Sequence, residues 1–316
     1  VRERRPDIVV VVGCVHATCA WAITAKKEQV QLAHIEAGLR SFDLAMPEEI
    51  NRMVTDRLSD QLFTTDPIAS GNLSREGVPP ERIHCVGNIM IDTLEQQRAV
   101  AERLDPGLIV RSNWLIEKKF DLSYLARGAY ALMTLHRPAN VDHPEVLGPL
   151  LEFVMHEVCP EMPLLWPLHP RARRQMEEFG LWERLVNVAN LILLEPLGYH
   201  EMLRLNMTAK VMLTDSGGLQ EECCVLGTPC LTLRSNTERP ITLKDHGGAS
   251  VLVGNRVSDL RAAYRSFGNV GRLPSRPALW DGLTAGRIVR KLAECDAQPS
   301  PAAVATDTQF CERIRQ

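Results

Sequence analysis

The chain has 316 residues, of which 45% are hydrophobic and 24% charged, and its formal net charge at pH 7 is −3. This length accommodates one large or two medium-sized α/β domains, and the composition is that of a folded, soluble protein. No apolar run reaches the roughly 18 to 20 residues that a membrane span needs. The 36 basic residues do not exceed the 39 acidic ones, so we expect neither a membrane nor a nucleic acid as a partner.

The nine cysteines are odd in number, form no Cys-x-x-Cys pair and stand mostly in apolar stretches. Such thiols pack as small hydrophobic groups, and this usage is typical of a reducing cytoplasm. No secretory signal precedes the apolar segment 7–13. We therefore predict a cytoplasmic protein with neither disulfides nor a structural zinc ion.

Short β-branched apolar runs alternate with helical segments along most of the chain, a pattern that indicates an α/β fold with parallel sheets. The predicted strands are 9–13, 30–35, 61–65, 82–87, 129–135, 164–168, 191–195, 210–214, 229–233 and 250–254. Between the second and third strands, Ile50, Val54 and Leu58 recur at helical spacing behind Pro47, which suits a first helical turn. We predict a helix over 47–60.

The alternation of strands and helices breaks between residues 89 and 128, where the chain becomes long and polar. We interpret 96–128 as a helical connection between two doubly wound, Rossmann-like domains. The N-terminal domain covers 1–95, and the C-terminal, nucleotide-binding domain covers 129–279. The helical pattern 280–294 is expected to cross back to the first domain, and 295–316 to form a mobile tail.

Ligands of open α/β sheets bind beyond the carboxyl ends of the strands, and several predicted strands end in reactive side chains. Glu36 follows the second strand, His136 the fifth and His169 the sixth. Glu48 opens the predicted helix 47–60, where a carboxylate interacts favourably with the helix N-terminus. Each of these residues alone is more often a capping or ion-pairing group. Their coincidence at strand ends indicates a site.

Residues 214–222, Thr-Asp-Ser-Gly-Gly-Leu-Gln-Glu-Glu, form the most informative single motif. Backbone N–H groups at a helix start bind a diphosphate well, and the residues placed there are Ser216, Gly217 and Gly218. Glu222 can accept hydrogen bonds from ribose hydroxyls further along the helix. An ordinary helix capped by Asp215 or Ser216 is the alternative, although two adjacent glycines favour a closely bound ligand.

Arg239 follows the ninth predicted strand, within Asn236-Thr237-Glu238-Arg239-Pro240. Its guanidinium could bind the same diphosphate through a two-pronged contact. The alternative is a surface ion pair with Glu238, which would contribute little stability. The two interpretations differ in where the guanidinium lies, at a ligand or at the surface.

Together these segments resemble the non-hydrolysing UDP-N-acetylglucosamine 2-epimerases in order and spacing. The matching stretches are His34-Ile35-Glu36-Ala37-Gly38-Leu39-Arg40-Ser41, Pro47-Glu48-Glu49-Ile50-Asn51-Arg52, His136-Arg137-Pro138, 214–222 and Thr237-Glu238-Arg239-Pro240. The resemblance runs from Pro6 to about Glu294. It implies a two-domain fold of the glycosyltransferase B type, a homodimer, and a UDP-sugar held mainly by the second domain.

The resemblance also implies a reaction in which the C2 proton is removed and UDP expelled, giving 2-acetamidoglucal. UDP then adds back with the opposite C2 configuration, which interconverts UDP-N-acetylglucosamine and UDP-N-acetylmannosamine. The roles implied by position are acid and base for Glu36 and Glu48, assistance to UDP departure for His136, phosphate binding for Ser216, Gly217, Gly218 and Arg239, ribose binding for Glu222, and a nucleotide-pocket lining for His169. This chemistry needs no metal and no redox cofactor.

Two departures from the family pattern bear on activity. The family usually carries an Asp after the glycine that ends the first strand, whereas Cys14 follows Gly13 here, so a thiol replaces a catalytic carboxylate. A Gly-Thr-Arg-Pro-Glu loop near the family's N-terminus is also missing. Because βαβ units have about 30 residues, we expect on the order of 60 residues to be absent from a truncated N-terminal domain.

Two alternatives to an active epimerase therefore stay open. One is a catalytically impaired remnant that still binds a UDP-sugar through the second domain. The other is a sugar-transferring enzyme of the same fold, which would need an acceptor site. The pair of carboxylates twelve residues apart, Glu36 and Glu48, speaks against the transferase.

Overall fold

A computed structural model describes residues 1–267 and 271–296, whose strands form two parallel sheets. In the first sheet, β1 (Ile8–Val12), β2 (Gln31–Ala37), β3 (Gln61–Thr64) and β4 (Ile83–Cys85) lie side by side in chain order. The second sheet contains β5 (Ala131–Thr134), β6 (Leu164–Pro167), β7 (Leu191–Leu194), β8 (Val211–Thr214), β9 (Cys230–Thr232) and β10 (Ser250–Leu252), in the order β10-β9-β8-β5-β6-β7. All ten predicted strands are confirmed, with ends that differ by at most two residues.

The α-helices of the described residues are α1 (His16–Lys27), α2 (Pro47–Leu58), α3 (Pro67–Arg75), α4 (Ile89–Glu102), α5 (Pro106–Ser112), α6 (Ser123–Ala126), α7 (Pro138–Val141), α8 (Pro144–Phe153), α9 (Pro170–Glu178), α10 (Trp182–Val186), α11 (Tyr199–Thr208), α12 (Gly217–Leu226), α13 (Val257–Phe267) and α14 (Thr284–Asp296). The predicted helix 47–60 is confirmed as α2. None of the described helices is both long and apolar enough to cross a membrane. The predicted tail lies outside the described residues, apart from positions 295 and 296.

Helices cover both faces of the first sheet. One face contacts α1, α2 and α3. On the other face, Ile288 and Leu292 of α14 pack with Ala33, Ile35 and Phe63 of the strands. Burial of these apolar groups contributes roughly 25 cal/mol for each Å² removed from water, so α14 completes the core of a sheet that precedes it by some 200 residues.

The second sheet reverses its strand order between β5 and β8, where the chain crosses from one half of the sheet to the other. Crevices outside the carboxyl ends of strands at such a reversal are the usual ligand sites of doubly wound sheets. β5 leads there to His136, and β8 leads to Ser216. The topology therefore places two of the predicted site segments side by side.

Residues 271–283 form a segment that contacts both α12, beside the second sheet, and the strand ends of the first sheet. The backbone N–H of Ser275 donates to Cys224 O of α12 at 2.9 Å. Further on, the buried indole of Trp280 donates from Nε1 to Thr65 O, also at 2.9 Å. This segment fixes α12, whose N-terminus faces the cleft, relative to the strand ends of the first sheet.

Candidate active site

The carboxyl ends of β1 and β2 face those of β5 and β8 across a cleft. Two of the predicted carboxylates meet guanidinium groups of the other side there. Arg137 Nη1 lies 3.4 Å from Glu48 Oε1, and Arg239 Nη2 lies 3.9 Å from Glu36 Oε2. Optimal charge-assisted hydrogen bonds are about 2.7 to 2.9 Å long. Both contacts across the cleft are longer than this, so each of the two pairs is loosely held.

The cleft contains a cavity of about 530 Å³, a volume typical of small-molecule sites. Glu48 is the predicted site residue that lines it, and Cys14 lies on the same wall. Most of its other polar lining consists of neutral or basic groups, contributed by His16, Asn51, Arg137, Asn140, Arg234, Asn236 and Asn255. Amide groups both donate and accept hydrogen bonds, as a ligand rich in hydroxyl groups requires.

His136 is held by a buried aspartate that the sequence analysis considered only as a helix cap. Asp215 Oδ1 lies 2.8 Å from His136 Nδ1, and the same carboxylate accepts the backbone N–H groups of His136 and Arg137. Burial alone would raise the pKa of Asp215, but these contacts outweigh it and hold the pKa below its ordinary value. The carboxylate therefore fixes the proton on Nδ1 and leaves Nε2 of His136 for a ligand.

His169 lies next to His136, with 5.5 Å between the ring centroids. Burial and the neighbouring His136 lower the pKa of His169, so its ring is uncharged at neutral pH. Its Nδ1 accepts the backbone N–H of Arg171 and caps α9. The structure thus brings the two predicted histidines together at the edge of the second sheet.

The predicted phosphate-binding segment forms the N-terminus of α12. Ser216 is the N-cap residue, and its backbone N–H donates to Thr214 Oγ1 at 3.0 Å, so this predicted phosphate donor is already engaged. Its side chain makes no capping hydrogen bond, which leaves the N–H groups of the first helical turn, from Gly217 onward, for a ligand. A Cβ atom at Gly217 would lie 2.5 Å from Arg239 Nη1, whereas nothing lies within 4 Å of one at Gly218. Gly217 is needed because the guanidinium rests on its backbone, and Gly218 faces open space where an anion can approach.

Glu36 occupies an unusual backbone position. Its φ is +67°, and the register of β2 against β3 shifts between Ile35 and Ala37. A non-glycine residue with positive φ costs about 1 to 3 kcal/mol and is found preferentially at functional sites. The bulge turns the Glu36 side chain toward Gly13 and the cleft.

Arg239 forms ion pairs with several carboxylates, and we call Arg239, Glu36, Glu221 and Glu238 the arginine cluster. Its Nε lies 2.8 Å from Glu221 Oε1, and its Nη1 donates to Glu238. The predicted alternative, an ion pair with Glu238, thus exists, but it is not at the surface: the two side chains are only 12% and 3% exposed. Burial opposes the charge of Arg239, yet the three carboxylates raise its pKa.

Glu221 is a site residue that was not predicted from the sequence. It stands four residues after Gly217, on the same face of α12, and Arg239 rests on that face. This helical spacing is the signal that could have identified it. Burial raises the pKa of Glu221 to about 7, an effect that Arg239 reduces and Glu36 increases.

Cys14 lies at the end of β1, where the resemblance placed it. Its backbone carbonyl accepts a hydrogen bond from Asn51 Nδ2 at 2.9 Å, and its Sγ lies 3.5 Å from Arg52 Nη1. Burial raises the pKa of the Cys14 thiol in spite of Arg52 and Arg239. The thiol is therefore uncharged at neutral pH and provides neither a carboxylate nor a thiolate to the cleft.

A buried hydrogen-bond network, which the sequence analysis did not identify, supports the ends of β1 and β2. His34 joins Asp56 Oδ1 through Nδ1 at 2.6 Å and Gly13 O through Nε2 at 2.9 Å. Asp56 Oδ2 accepts from Arg40 Nη1 at 2.7 Å and from the backbone N–H of Gly38. Buried polar groups that are fully satisfied in this way hold the surrounding backbone in one arrangement. The network thereby positions the two turns that carry Cys14 and Glu36.

Glu222, the predicted ribose ligand, lies on α12 with Asn206 Nδ2 3.5 Å from its Oε2. Burial raises its pKa to about 7, although Asn206 and Tyr199 act in the opposite direction. A folded-state pKa above the unfolded value means that stability falls as pH rises. The loss begins near the unfolded pKa of about 4.3 and is complete above about 7.

Replacing Glu222 with glutamine should therefore flatten the pH dependence of stability. Between pH 5 and 7, one such group changes the unfolding free energy by up to about 1.4 kcal/mol per pH unit. Urea unfolding at several pH values measures this slope. Glu145→Gln, at a side chain that is 72% exposed, is the control. An unchanged slope in Glu222→Gln would contradict the prediction.

The comparison that decides the family covers nearly all of the described residues. The family model for UDP-N-acetylglucosamine 2-epimerase matches residues 1–293. The chain belongs to this epimerase family. The resemblance inferred from the sequence motifs is thereby confirmed.

Individual epimerases agree with this assignment. The UDP-N-acetylglucosamine 2-epimerase of Methanocaldococcus jannaschii is 40% identical over 292 residues, which are 92% of this chain and 76% of the relative. That of Methanococcus maripaludis is 41% identical over 242 residues, 76% of this chain and 63% of the relative. This chain thus spans about three quarters of the first relative and less than two thirds of the second.

A solved epimerase structure has the same fold. The crystal structure of the Methanocaldococcus jannaschii UDP-GlcNAc 2-epimerase in complex with UDP-GlcNAc and UDP superposes with a TM-score of 0.81 at 39% identity. The superposition covers 93% of this chain and 77% of the other. It confirms the predicted α/β fold of the glycosyltransferase B type, and the relatives' names confirm the interpretation as a UDP-N-acetylglucosamine 2-epimerase. The roles of individual residues stay predictions.

Proposed function

We propose that this epimerase interconverts UDP-N-acetylglucosamine and UDP-N-acetylmannosamine in the cleft, by elimination and re-addition of UDP. The approach of Glu36 to Arg239, 3.9 Å apart at the N-terminus of α12, carries the proposal. A carboxylate suited to proton transfer and a guanidinium suited to a diphosphate lie there within the length of one UDP-sugar. The elimination needs these two groups together.

The sugar side of the reaction is assigned to Glu36 and Glu48. The C2–H bond is not next to a carbonyl group, so a base must remove a weakly acidic proton, and an acid must return it on the opposite face. The strained backbone of Glu36 holds its carboxylate toward the cleft. Glu48 lines the cavity opposite Arg137, so the two carboxylates reach the sugar ring from separate turns.

The leaving group is assigned to the second sheet. Its diphosphate would be bound by Arg239, by the N–H groups of Gly217 and Gly218, and by the hydroxyl of Ser216, whose own N–H donates to Thr214 Oγ1. His136, in the form protonated on both ring nitrogens, would donate from Nε2 to the diphosphate as negative charge develops. Asp215 supports that role because it fixes the His136 ring through Nδ1. We propose that Glu222 binds the ribose and that His169 lines the nucleotide pocket.

We further propose a homodimer that acts in the cytoplasm and supplies a sugar nucleotide for polysaccharide synthesis. The crystal structure of the related Methanocaldococcus jannaschii enzyme is a complex with UDP-GlcNAc and UDP, which supports the substrate class. Sedimentation velocity of the purified protein tests the dimer. A single species at the monomer mass of 35.3 kDa would contradict it.

A specific observation favours the second candidate function, a UDP-sugar-binding protein with impaired catalysis. The uncharged thiol of Cys14 lines the cavity where the resemblance implies a carboxylate. A neutral thiol accepts hydrogen bonds weakly and cannot relay a proton as an anion. In this candidate, nucleotide binding by the second sheet persists while turnover is low.

Replacing Cys14 with aspartate should raise the epimerisation rate at least about tenfold, because general acid/base groups typically contribute about 100- to 10,000-fold. The new carboxylate would face Arg52, which lies 3.5 Å from the present Sγ. An NMR time course in heavy water, following the anomeric proton and exchange at C2, measures the rate. Cys14→Asn is the control of similar size without charge. Equal rates for the wild type and Cys14→Asp would show that position 14 has no catalytic role.

A further inference from the structure

The arginine cluster contains more negative than positive charge. Arg239 faces Glu36, Glu221 and Glu238, and the second cation, Arg234, donates from Nη2 to Glu238 Oε2 at 2.6 Å. Three carboxylates therefore share two guanidinium groups in a poorly solvated part of the cleft. Among the described residues, Oε2 of Glu221 makes no hydrogen bond of standard geometry, and the uncharged amide of Asn88 is the further polar group beside this carboxylate, so its burial is poorly compensated.

This cluster adjoins the proposed diphosphate site. Arg239 Nη1 would lie only 2.5 Å from a Cβ atom at Gly217, the first residue of α12. A bound diphosphate adds two or more negative charges to that helix N-terminus. Because the carboxylates lie within a few ångströms of the same guanidinium, they would repel the ligand and compete with it for Arg239.

Protonation of Glu221 would remove one of the negative charges that repel the diphosphate. We propose that Glu221 takes up a proton when the diphosphate of the nucleotide binds, so that Arg239 exchanges one carboxylate partner for the phosphate. The proton comes from solvent buffer and forms an O–H bond at Oε2. The inference rests on the proposed nucleotide site and makes Glu221 a positioning residue, which acts on the substrate through Arg239.

The surroundings of Glu221 support the proton uptake. In the loop after β9, Arg239 faces Glu221, and Glu238 lies on the other side of Arg239. In the first sheet, Glu36 is the charged group that acts on Glu221. Helix α4 presents only the uncharged amide of Asn88. On α12 itself it interacts with Cys224, an uncharged thiol because burial raises its pKa to about 11, and the next residue along the helix is Glu222, whose pKa is raised to about 7. Arg239 is thus the cation in direct contact with Glu221.

The free protein is poised for this step. Burial already raises the pKa of Glu221 to about 7, so the carboxyl is mostly ionised at pH 8 and can still be protonated on binding. If only the protonated form accepts the diphosphate, affinity for UDP falls about tenfold per pH unit above pH 7. Below pH 6 the group is protonated in both states, and its uptake vanishes.

Calorimetric titration of the full chain with UDP tests the proposal. At pH 8, measurements in buffers with different ionisation enthalpies give the number of protons taken up. The wild type and the exposed control Glu178→Gln should take up nearly one proton more than Glu221→Gln. The comparison cancels any proton taken up by the terminal phosphate of UDP itself. UDP affinity of Glu221→Gln should also vary less between pH 7 and 8.5.

The outcomes separate this inference from the proposed function. Equal proton uptake by wild type and Glu221→Gln, with UDP still bound, overturns the role of Glu221 and leaves the nucleotide site standing. No binding of millimolar UDP by the wild type overturns the nucleotide site and the inference with it. If Glu221→Gln does not fold, the wild type alone decides: uptake that does not increase from pH 6 to pH 8 overturns the proposal.

Discussion

Glu36→Gln is expected to lower the rate of C2 hydrogen exchange and epimerisation by about 100- to 10,000-fold, the usual contribution of a general acid or base. Glutamine has nearly the same shape, so the positive φ of +67° and the bulge in β2 can be retained. UDP affinity should stay the same or increase, because the change removes a negative charge 3.9 Å from Arg239. The rate is followed by NMR as deuterium enters C2.

Glu178→Gln, a substitution of the same type on the exposed face of α9, is the matched control and should leave the rate unchanged. A Glu36→Gln variant that exchanges C2 hydrogen as fast as the wild type would remove Glu36 from the acid/base pair. Loss of UDP binding together with loss of exchange would instead show that the variant disturbs the arginine cluster. The two measurements therefore distinguish chemistry from positioning.

His136→Ala is expected to reduce turnover by about 100- to 1,000-fold, as the loss of a donor to a developing negative charge typically does. UDP affinity should fall much less, because the contact is strongest when charge accumulates on the departing diphosphate. Asp215 holds the His136 ring at 2.8 Å, so the donor is oriented before the substrate arrives. Steady-state kinetics with UDP-N-acetylglucosamine and calorimetry with UDP supply the two numbers.

His143→Ala, at a side chain that is 56% exposed, serves as the control for removal of an imidazole. Equal losses of affinity and turnover in His136→Ala would make the histidine a ground-state contact with the nucleotide. Turnover that falls while affinity is preserved supports its proposed role in the expulsion of UDP.

The elements of the fold followed from local patterns. Runs such as Leu164–Pro167 and Leu191–Leu194 are buried on both faces, so they appear in the sequence as uninterrupted apolar segments and their ends are easy to place. The helix that starts at Pro47 was predicted from the helical spacing of its apolar residues, which is also a local pattern. The exact start of α4 at Ile89 depended on a cap, since Asn88 Oδ1 accepts the backbone N–H of Met90 at 2.9 Å.

The site segments were also accessible from the sequence, because ligands of parallel sheets collect at strand ends. Glu36 is the last residue but one of β2, and His136 and Ser216 lie two residues beyond the ends of β5 and β8. The position of a residue at a strand end does not show which other residue it contacts. Asp215 fits a helix cap when only its neighbours are considered, yet its carboxylate binds the turn that carries His136, 79 residues away.

The sequence by itself determined the family, the strands and helices, and the chemical groups available at the cleft, because these are properties of neighbouring residues. Only the tertiary structure decided how those groups are charged and held. Arg239 meets Glu221 of α12 and Glu36 of the first sheet, two residues that lie far apart in the chain. Their distances and burial set the local electrostatic free energy, which depends on separation in space and on exclusion of water. Neither quantity is encoded in the spacing of residues along the chain.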